Sequence, residues 1–357
     1  MAQAIRIGLL NDMARAGPAP GDVDAALALA IDRLRAQGRL DRPVEFVRAY
    51  GLGLPGGSAA AVERAFAALD AADVLMVVGP AIGDNALVAT PLAERCRLPT
   101  LNWAGADRAR GDFMFHLQVG SHEDESLVIA RHLAGLGCGR IAVAFDRSPI
   151  GRRHFEFLRD EAGLCGLRIT AVAALSPLAE HADDEVAELV GAAPDGFVYL
   201  GLGLSAPAVA RALATSGWDG PRIMNTAGIR GQDPAFARVI DGWRYIDMFA
   251  DDNRELAALR AGEAGDPAYP LALAKGHDLG RLVAEALARA PSLTREGVRL
   301  GLEAIKWLPA AEGHEGTLLG FGIHDRGALH GRYLVLREWR EGRSRQLPGA
   351  ATACPPG

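Results

Sequence analysis

The sequence predicts an α/β protein made of two doubly wound lobes. The chain has 357 residues, which exceeds the size at which one hydrophobic core keeps growing. Short apolar runs alternate with helical patterns, and this alternation restarts near residue 140. Two successive sets of strands and helices of similar length predict two mostly parallel sheets.

The first set begins directly after the N-terminus. Its predicted strands cover residues 5–10, 44–49, 74–78, 100–102 and 113–117. Its predicted helices cover residues 22–37, 58–69 and 85–96. Apolar runs of this length, bounded by turn residues, are typical of buried parallel strands.

The second set has the same composition. Its predicted strands cover residues 140–145, 167–173, 196–200, 222–225 and 243–248, and its predicted helices cover 151–162, 184–191 and 206–216. A long helix over 271–290 and another from Leu293 follow. Strands at 317–321 and 333–338 are expected to form a late hairpin through Asp325-Arg326-Gly327, and residues 343–357 are expected to be a disordered tail.

Composition excludes several classes of protein. Apolar residues make up 49% of the chain, charged residues 23%, and the formal net charge is −6. A mildly acidic chain without a basic block does not suit nucleic acid, and no apolar run reaches the roughly 18 residues of a membrane span. Because no signal-peptide pattern opens the chain, we expect a periplasmic protein if such a peptide has been removed and a cytoplasmic one otherwise.

Two glycine-rich turns are the strongest candidates for chemistry. The segment from Gly201 to Ala206 follows a strand and opens a helix, as a dinucleotide fingerprint does, but the next strand ends in Asn225 rather than in an acid. The turn from Gly79 to Asn85 is of the same kind, with Asp84 expected as the helix N-cap. Both turns are expected to bring backbone close to a ligand.

Other polar clusters have structural explanations. Ser121 is expected to cap a helix whose first turn carries the acids near His122, which explains this cluster without a metal. His277-Asp278 lacks a nearby nucleophile, and the four cysteines form no metal-binding pair. The sequence contains no recognisable catalytic motif, so we expect a non-catalytic binding protein without a cofactor or metal.

The order of motifs resembles the type I periplasmic binding proteins, and within them the branched-chain amino-acid (leucine-binding) receptors of ABC transporters. The resemblance covers roughly residues 4–340 and depends on the order and spacing of short motifs, which are Ile5-Arg-Ile-Gly-Leu-Leu-Asn, Val77-Val-Gly-Pro, Pro91-Leu-Ala-Glu, Leu98-Pro-Thr-Leu-Asn-Trp, Val143-Ala-Phe-Asp with Ile150-Gly, and the stretch from Phe321 to Tyr333.

The resemblance implies two Rossmann-like lobes that close by hinge motion around a small ligand in the cleft between them. It implies three crossings of the chain, near residues 115–118, 248–251 and 322–326. The N-terminal lobe is then 1–117 plus 250–323, and the C-terminal lobe is 118–249 plus 324–342. The implied partner is an ABC permease.

Departures from the family pattern indicate the kind of ligand. In amino-acid-binding members a serine and a threonine hold the zwitterion, and the matching positions here are Gly83 and Ala106. Ile150 replaces a tyrosine, Gly203 or Leu204 an aromatic residue, and Ala227 lies where an acid would meet the ammonium group. A desolvated zwitterion without partners costs several kcal/mol, so an α-amino acid is not expected.

The expected ligand is instead an aromatic or hydrophobic carboxylate or a steroid-like compound, paired with Arg147 or Arg230. The residues expected to bind it are Asn11, Asp12, Met13, Ile82, Gly83, Asp84, Asn85, Asn102, Trp103, Ala104, Arg147, Ile150, Gly203, Leu204, Ala227, Gly228, Arg230, Met248 and His277. Two alternatives remain open: a cytoplasmic ligand sensor that acts on a regulatory partner, and a nucleotide-dependent enzyme that uses the turn at Gly201.

Overall fold

The computed structural model describes residues 4–12, 23–50, 59–262 and 270–348. Its strands are β1 (Ile5–Leu10), β2 (Val44–Ala49), β3 (Met76–Val78), β4 (Thr100–Asn102), β5 (Met114–His116), β6 (Arg140–Asp146), β7 (Arg168–Leu175), β8 (Gly196–Leu200), β9 (Arg222–Met224), β10 (Arg244–Asp247), β11 (Leu308–Pro309), β12 (Leu318–Leu319), β13 (Leu329–His330), β14 (Val335–Arg340) and β15 (Arg343–Gln346).

Helices alternate with these strands along most of the described chain. They are α1 (Val23–Ala36), α2 (Ala59–Ala71), α3 (Gly83–Cys96), α4 (His122–Gly135), α5 (Pro149–Leu164), α6 (Asp183–Gly191), α7 (Ala206–Thr215), the 3-10 helix Thr226–Gln232, α8 (Pro234–Val239), α9 (Arg254–Ala261), α10 (Leu271–Arg289) and α11 (Arg295–Glu303).

The chain divides into two compact units. Unit 1 spans Met1–Val119 and Phe249–Tyr333, and unit 2 spans Gly120–Met248 and Leu334–Gly357. The chain therefore passes from one unit to the other three times, after Val119, Met248 and Tyr333.

Unit 1 contains a five-stranded sheet in the order β2-β1-β3-β4-β5, with every pair parallel. Alternate residues of its strands enter two cores. Ile7 and Leu9 pack in a core with α1, α10 and α11, whereas Leu10 and Val77 pack in a core with α2 and α3. The sheet is covered on both faces, which explains why its strands are almost continuously apolar.

Helices α1 and α10 approach closely in unit 1. A Cβ on Gly276 would lie 2.4 Å from the Cβ of Ala26, and one on Gly280 would lie 2.7 Å from the carbonyl oxygen of Leu27. Glycine at these two positions lets the backbones touch, so larger residues there would force the helices apart.

Unit 2 contains a seven-stranded sheet in the order β15-β14-β10-β9-β8-β6-β7. Strands β6 to β10 are parallel and have the same spatial order as the five strands of unit 1, and β14 and β15 add antiparallel to the β10 edge. Phe197 and Tyr199 point to a core with α6 and α7, whereas Val198 and Leu200 point to a core with α4 and α5. The prediction of two doubly wound sheets is confirmed.

The predicted late hairpin is wrong. Strand β12 pairs with β11 and β13 in unit 1, whereas β14 pairs with β10 and β15 in unit 2. The expected hairpin turn is instead anchored in unit 1, because the buried guanidinium of Arg326 donates to the carbonyls of Gly111 (3.1 Å) and Gly322 (2.9 Å) and pairs with Glu303 at 2.7 Å. The third crossing therefore follows Tyr333 rather than residues 322–326, and residues 324–333 lie in unit 1.

The start of the expected disordered tail is also ordered. Residues Arg343–Gln346 form β15, which pairs with β14 from Arg337↔Gln346 to Arg340↔Arg343. Backbone pairing to a strand already fixed against β10 satisfies the polar groups of this short segment. Residues 349–357 lie outside the described residues.

No helix in the described ranges is both long enough and apolar enough to span a membrane.

Candidate functional site

The carboxyl ends of the two parallel sheets are the candidate ligand-binding edges of the two units. In an open α/β sheet the binding crevice lies at the point where the strand order reverses, which is between β1 and β3 in unit 1 and between β6 and β8 in unit 2. The predicted site residues other than Met13, Met248 and His277 divide between these two edges.

Asp12 holds the turn between β3 and α3 in unit 1. Its carboxylate accepts hydrogen bonds from the backbone N–H groups of Ala81 (2.7 Å) and Ile82 (2.9 Å) and from Nδ2 of Asn85 (2.9 Å). Burial raises the pKa of Asp12, and these three donors oppose the rise. Asp12 and Asn85 thus position the turn, and their expected contact with the ligand stays a prediction.

The asparagines at the ends of β1 and β4 are also engaged within unit 1. Nδ2 of Asn11 donates to the buried carboxylate of Asp24 at 2.9 Å. Nδ2 of Asn102 donates to the carbonyls of Ala109 (2.8 Å) and Phe115 (2.9 Å), and its Oδ1 accepts from the N–H of Ala104 (3.3 Å). Asn102 and Ala104 are fully buried, and their role in ligand binding stays a prediction.

Ile82, Gly83, Asp84 and Trp103 surround the start of α3. The N-cap is Ile82, which offers no side-chain hydrogen bond, and Asp84 lies in the first turn, so the expectation that Asp84 caps the helix is wrong. Ile82 and Trp103 are half-buried, and Trp103 also packs on the core beneath it. They are the large apolar side chains that this edge leaves partly accessible among its described residues.

His277 is a predicted site residue that lies away from this edge, and Met13 lies outside the described residues. His277 lies on α10, where burial and the charges of Arg281 and Arg33 lower its pKa to about 4. These neighbours place it within the helix layer formed by α1 and α10, rather than on a strand-end turn.

Asp146 performs the same task in unit 2 that Asp12 performs in unit 1. It ends β6, is fully buried, and accepts hydrogen bonds from the N–H of Leu202 (2.6 Å), the N–H of Ser148 (3.1 Å), the hydroxyl of Ser148 and the hydroxyl of Tyr199 (3.4 Å). A carboxylate at the end of the first strand thus fixes the turn after the third strand in both units.

This arrangement argues against the nucleotide reading of the turn at Gly201. In a dinucleotide site the N–H groups of the glycine turn point at a pyrophosphate. Here the N–H of Leu202 is donated to the Asp146 carboxylate, which would repel a phosphate placed beside it.

Gly203, Ala227 and Arg230 are brought together at the same edge. A Cβ on Gly203 would lie 2.6 Å from Cδ of Arg230 and 3.1 Å from Cβ of Ala227. Gly228 supports them, because its carbonyl accepts from Nε1 of Trp339 at 2.9 Å and its Cα packs against Tyr245.

Two arginines and a leucine are the exposed residues among the predicted site residues of this edge. These are Arg147, Leu204 and Arg230, and Ile150, the second residue of α5, is half-buried. No carboxylate among the described residues pairs with Arg147 or Arg230. Met248 is fully buried, and its sulfur accepts from the N–H of Gly120 at 3.0 Å, so it joins two chain segments of unit 2 rather than facing the edge.

Sequence reasoning missed Glu125. This buried carboxylate accepts from the N–H of Ser121 at 2.9 Å and from the N–H of Thr226 at 2.8 Å, which ties the start of α4 to the 3-10 helix. Ser121 caps α4 as expected, accepting from the N–H of Asp124 at 3.0 Å. No cluster of metal-ligating side chains occurs in the described part of the chain.

Comparison with known proteins identifies the family. The profile of the periplasmic binding protein family matches residues 4–330. None of the curated proteins matches the chain. A type 1 periplasmic binding protein from Bordetella pertussis Tohama I is similar in structure, with a TM-score of 0.80 at 17% identity, over 97% of this chain and all (100%) of that one.

Two further solved structures have the same fold. A leucine-binding protein from Thermotoga maritima gives a TM-score of 0.77 at 15% identity, over 97% of this chain and 98% of that one. A putative branched-chain amino acid ABC transporter protein from Rhodospirillum rubrum gives 0.71 at 22% identity, over 97% and 100%. The resemblance seen in the sequence is confirmed: this chain belongs to the periplasmic binding protein family.

Proposed function

We propose that the chain is a solute receptor of the ABC-transporter type whose ligand is a small organic acid with an apolar body, such as an aromatic or hydrophobic carboxylate or a steroid-like acid. The observation that carries this proposal is the pair of exposed guanidiniums, Arg147 and Arg230, on either side of the turn that follows β8. Neither has a carboxylate partner among the described residues, so both are open to an acidic ligand.

The polar groups of the two edges support an acid over an α-amino acid. An ammonium group needs acceptors, and the carboxylates of Asp12 and Asp146 are already engaged with backbone N–H groups. Ala227 provides no acceptor in its side chain, and the neighbouring Arg230 would repel a cation. Leaving an ammonium group desolvated without partners costs several kcal/mol.

The apolar part of the ligand has suitable surface on both units, taken separately. Ile82 and Trp103 are half-buried at the edge of unit 1, and Leu204 and Ile150 lie at the edge of unit 2. Apolar walls with a few placed polar groups are the usual composition of a small-molecule site.

A thermal-shift screen tests the proposal, because a ligand that binds only the folded protein raises its Tm. The panel pairs 4-methylpentanoate with leucine and 3-phenylpropionate with phenylalanine, so each pair differs by one amino group, and adds a steroid acid. Leucine is included because a leucine-binding protein has the same fold. We expect shifts with acids; a shift with leucine and none with the acids would refute the proposed ligand class.

Trp103 provides a second test. If its ring packs on the apolar body of the ligand, Trp103→Ala weakens binding by about 1–3 kcal/mol. Trp307, which is 69% exposed elsewhere on unit 1, is the matched control, and Trp307→Ala is expected to leave affinity unchanged. Equal affinities for both variants would place Trp103 outside the site.

The transport role has a separate test in the coding sequence upstream of the chain. A signal peptide encoded there supports delivery of the ligand to a membrane permease, whereas its absence supports the cytoplasmic sensor.

A further inference from the structure

Because Gly203 has no Cβ, the side chain of Arg230 can occupy the space beside it. Its backbone has φ +84°, and a Cβ there would overlap Cδ of Arg230 at 2.6 Å. The aliphatic stem of Arg230 therefore crosses directly over this glycine. A side chain at position 203 would displace the arginine, because the clash falls in the middle of the stem and not at its mobile end.

The backbone that carries Arg230 is fixed from several directions. Asn225 exchanges two hydrogen bonds with Gly201, at 3.2 and 3.1 Å, which joins the start of the 3-10 helix to the turn after β8. The carboxylate of Glu125 accepts a hydrogen bond from the N–H of Thr226 at 2.8 Å, and the N–H of Asp233 donates to the carbonyl of Arg230 at 3.0 Å. Such a support pre-organises the guanidinium and reduces the entropy lost on binding.

Arg147 is held less firmly. Its N–H donates to the carbonyl of Leu175 at 2.9 Å, but its exposed side chain makes no hydrogen bond or ion pair with the described residues. Leu204, which is 40% exposed, follows Gly203 directly and places apolar surface next to the Arg230 stem. A cation beside apolar surface matches an acid whose carboxylate is attached to an apolar body.

We propose that Gly203 and Arg230 form one recognition element, in which Arg230 and not Arg147 binds the carboxylate of the ligand and Gly203 sets ligand class by keeping the arginine in place. This inference rests on the proposed function and specifies which residues select the acid.

A double-mutant cycle measured by isothermal titration with the best acid of the panel tests the coupling. Arg230→Met keeps an aliphatic stem over Gly203 and removes the charge. Gly203→Ala places a Cβ in the space that the Arg230 stem occupies. Each single change is expected to weaken binding by about 10- to 100-fold. The double variant is expected to bind no more weakly than Arg230→Met alone, because the glycine acts through the arginine.

Two controls separate this effect from backbone strain and from general loss of positive charge. Gly217 has a similar φ of +74°, but a Cβ there meets nothing within 4 Å, so Gly217→Ala introduces similar strain without the clash. It is expected to bind the acid as the unmodified chain does, and so is Arg238→Met, which removes an exposed charge on α8. Arg147→Met compares the two arginines of the site and is expected to weaken binding less than Arg230→Met does. Circular dichroism melts confirm that each variant is folded.

The outcomes distinguish the two levels of the proposal. If no acid binds the unmodified chain, or leucine alone binds, the proposed function fails. If an acid binds but the losses of Gly203→Ala and Arg230→Met add, or Arg147→Met is the more damaging change, the recognition element is refuted and the proposed function stands.

Discussion

Lys275→Met is expected to destabilise unit 1 strongly. The Lys275 ammonium is fully buried, with Nζ 2.7 Å from the carbonyl oxygen of Gln118 and 2.7 Å from Oε2 of the equally buried Glu312. Burial lowers the pKa of Lys275, and the Glu312 carboxylate opposes this fall. Asp278 lies in the same cluster, where burial and the Glu312 charge raise its pKa while two hydrogen bonds from the N–H of Ala311 oppose the rise.

The size of the effect follows from what the substitution leaves behind. Methionine fills the volume of the lysine stem but provides no cation, so the Glu312 charge stays buried without its partner. Removing one member of a buried ion pair costs about 3–5 kcal/mol. Lys275→Met combined with Glu312→Gln removes both charges, and its expected cost falls to about 1–3 kcal/mol, that of the Gln118 carbonyl left without a donor.

Urea unfolding followed by hydrogen exchange with mass spectrometry measures this effect separately in the two units. Peptides of unit 1 should exchange faster in Lys275→Met, while peptides of unit 2, which does not contain the cluster, serve as an internal control. A double variant as unstable as Lys275→Met, or an equal loss in unit 2, would show that the uncompensated charge is not the cause.

Three further predictions concern stability. Burial lowers the pKa of His122 from 6.5 to about 4, and its ring packs edge-on against that of His154 with the centroids 4.6 Å apart. As the pH falls, the unfolded chain therefore binds a proton at this histidine before the folded chain does. The stability present above pH 6.5 is lost as the pH falls toward 4, by at most about 3 kcal/mol. Urea midpoints at pH 7.5 and 5.0 measure this loss, and an unchanged pH slope in His122→Gln would assign it to other groups. Asp146→Ala deprives the N–H of Leu202 of its acceptor and should lower the free energy of unfolding by about 1–3 kcal/mol, measured by urea unfolding, with exposed Asp160→Ala as the neutral control. Thr294→Ala removes the cap bond from the N–H of Gly297 (3.1 Å) and should cost about 1 kcal/mol in the same assay, whereas Thr294→Ser should be close to neutral.

The parallel sheets could be predicted because each strand and each helix start is marked by residues that are close together in the sequence. The run Ile5–Leu10 is apolar apart from Arg6 and forms β1 with those bounds, and Ser121 caps α4 as its position before an acidic first turn indicates. The C-terminal strands could not be predicted in this way. Strand β14 pairs with β10, which is distant in sequence, and with β15, which follows it, so the turn residues near Asp325 gave no indication of the true pairing.

The position of the candidate site stays a prediction, and the structural role of each of its residues could not be inferred from the sequence. Polar residues at strand ends look alike in sequence whether they bind a ligand or satisfy nearby backbone groups. Asn102 and Asp12 do the latter, because the turns beside them have N–H and carbonyl groups that need partners. The contact between Gly203 and Arg230 joins two turns and has no sequence signal, so only the three-dimensional arrangement reveals it.

The three crossings also have a consequence for biosynthesis. The parallel strands of unit 2 lie in one uninterrupted stretch of chain, from β6 to β10, whereas α1 of unit 1 needs α10, which is made far later. As a nascent chain grows from its N-terminus, the parallel strands of unit 2 can pack before α10 has been synthesised. Leu27 and Ile31 of α1 cannot yet be buried against α10 at that stage. Helix α1, which is among the first elements synthesised, thus reaches its packed state only after more than half of the chain that follows it has been made.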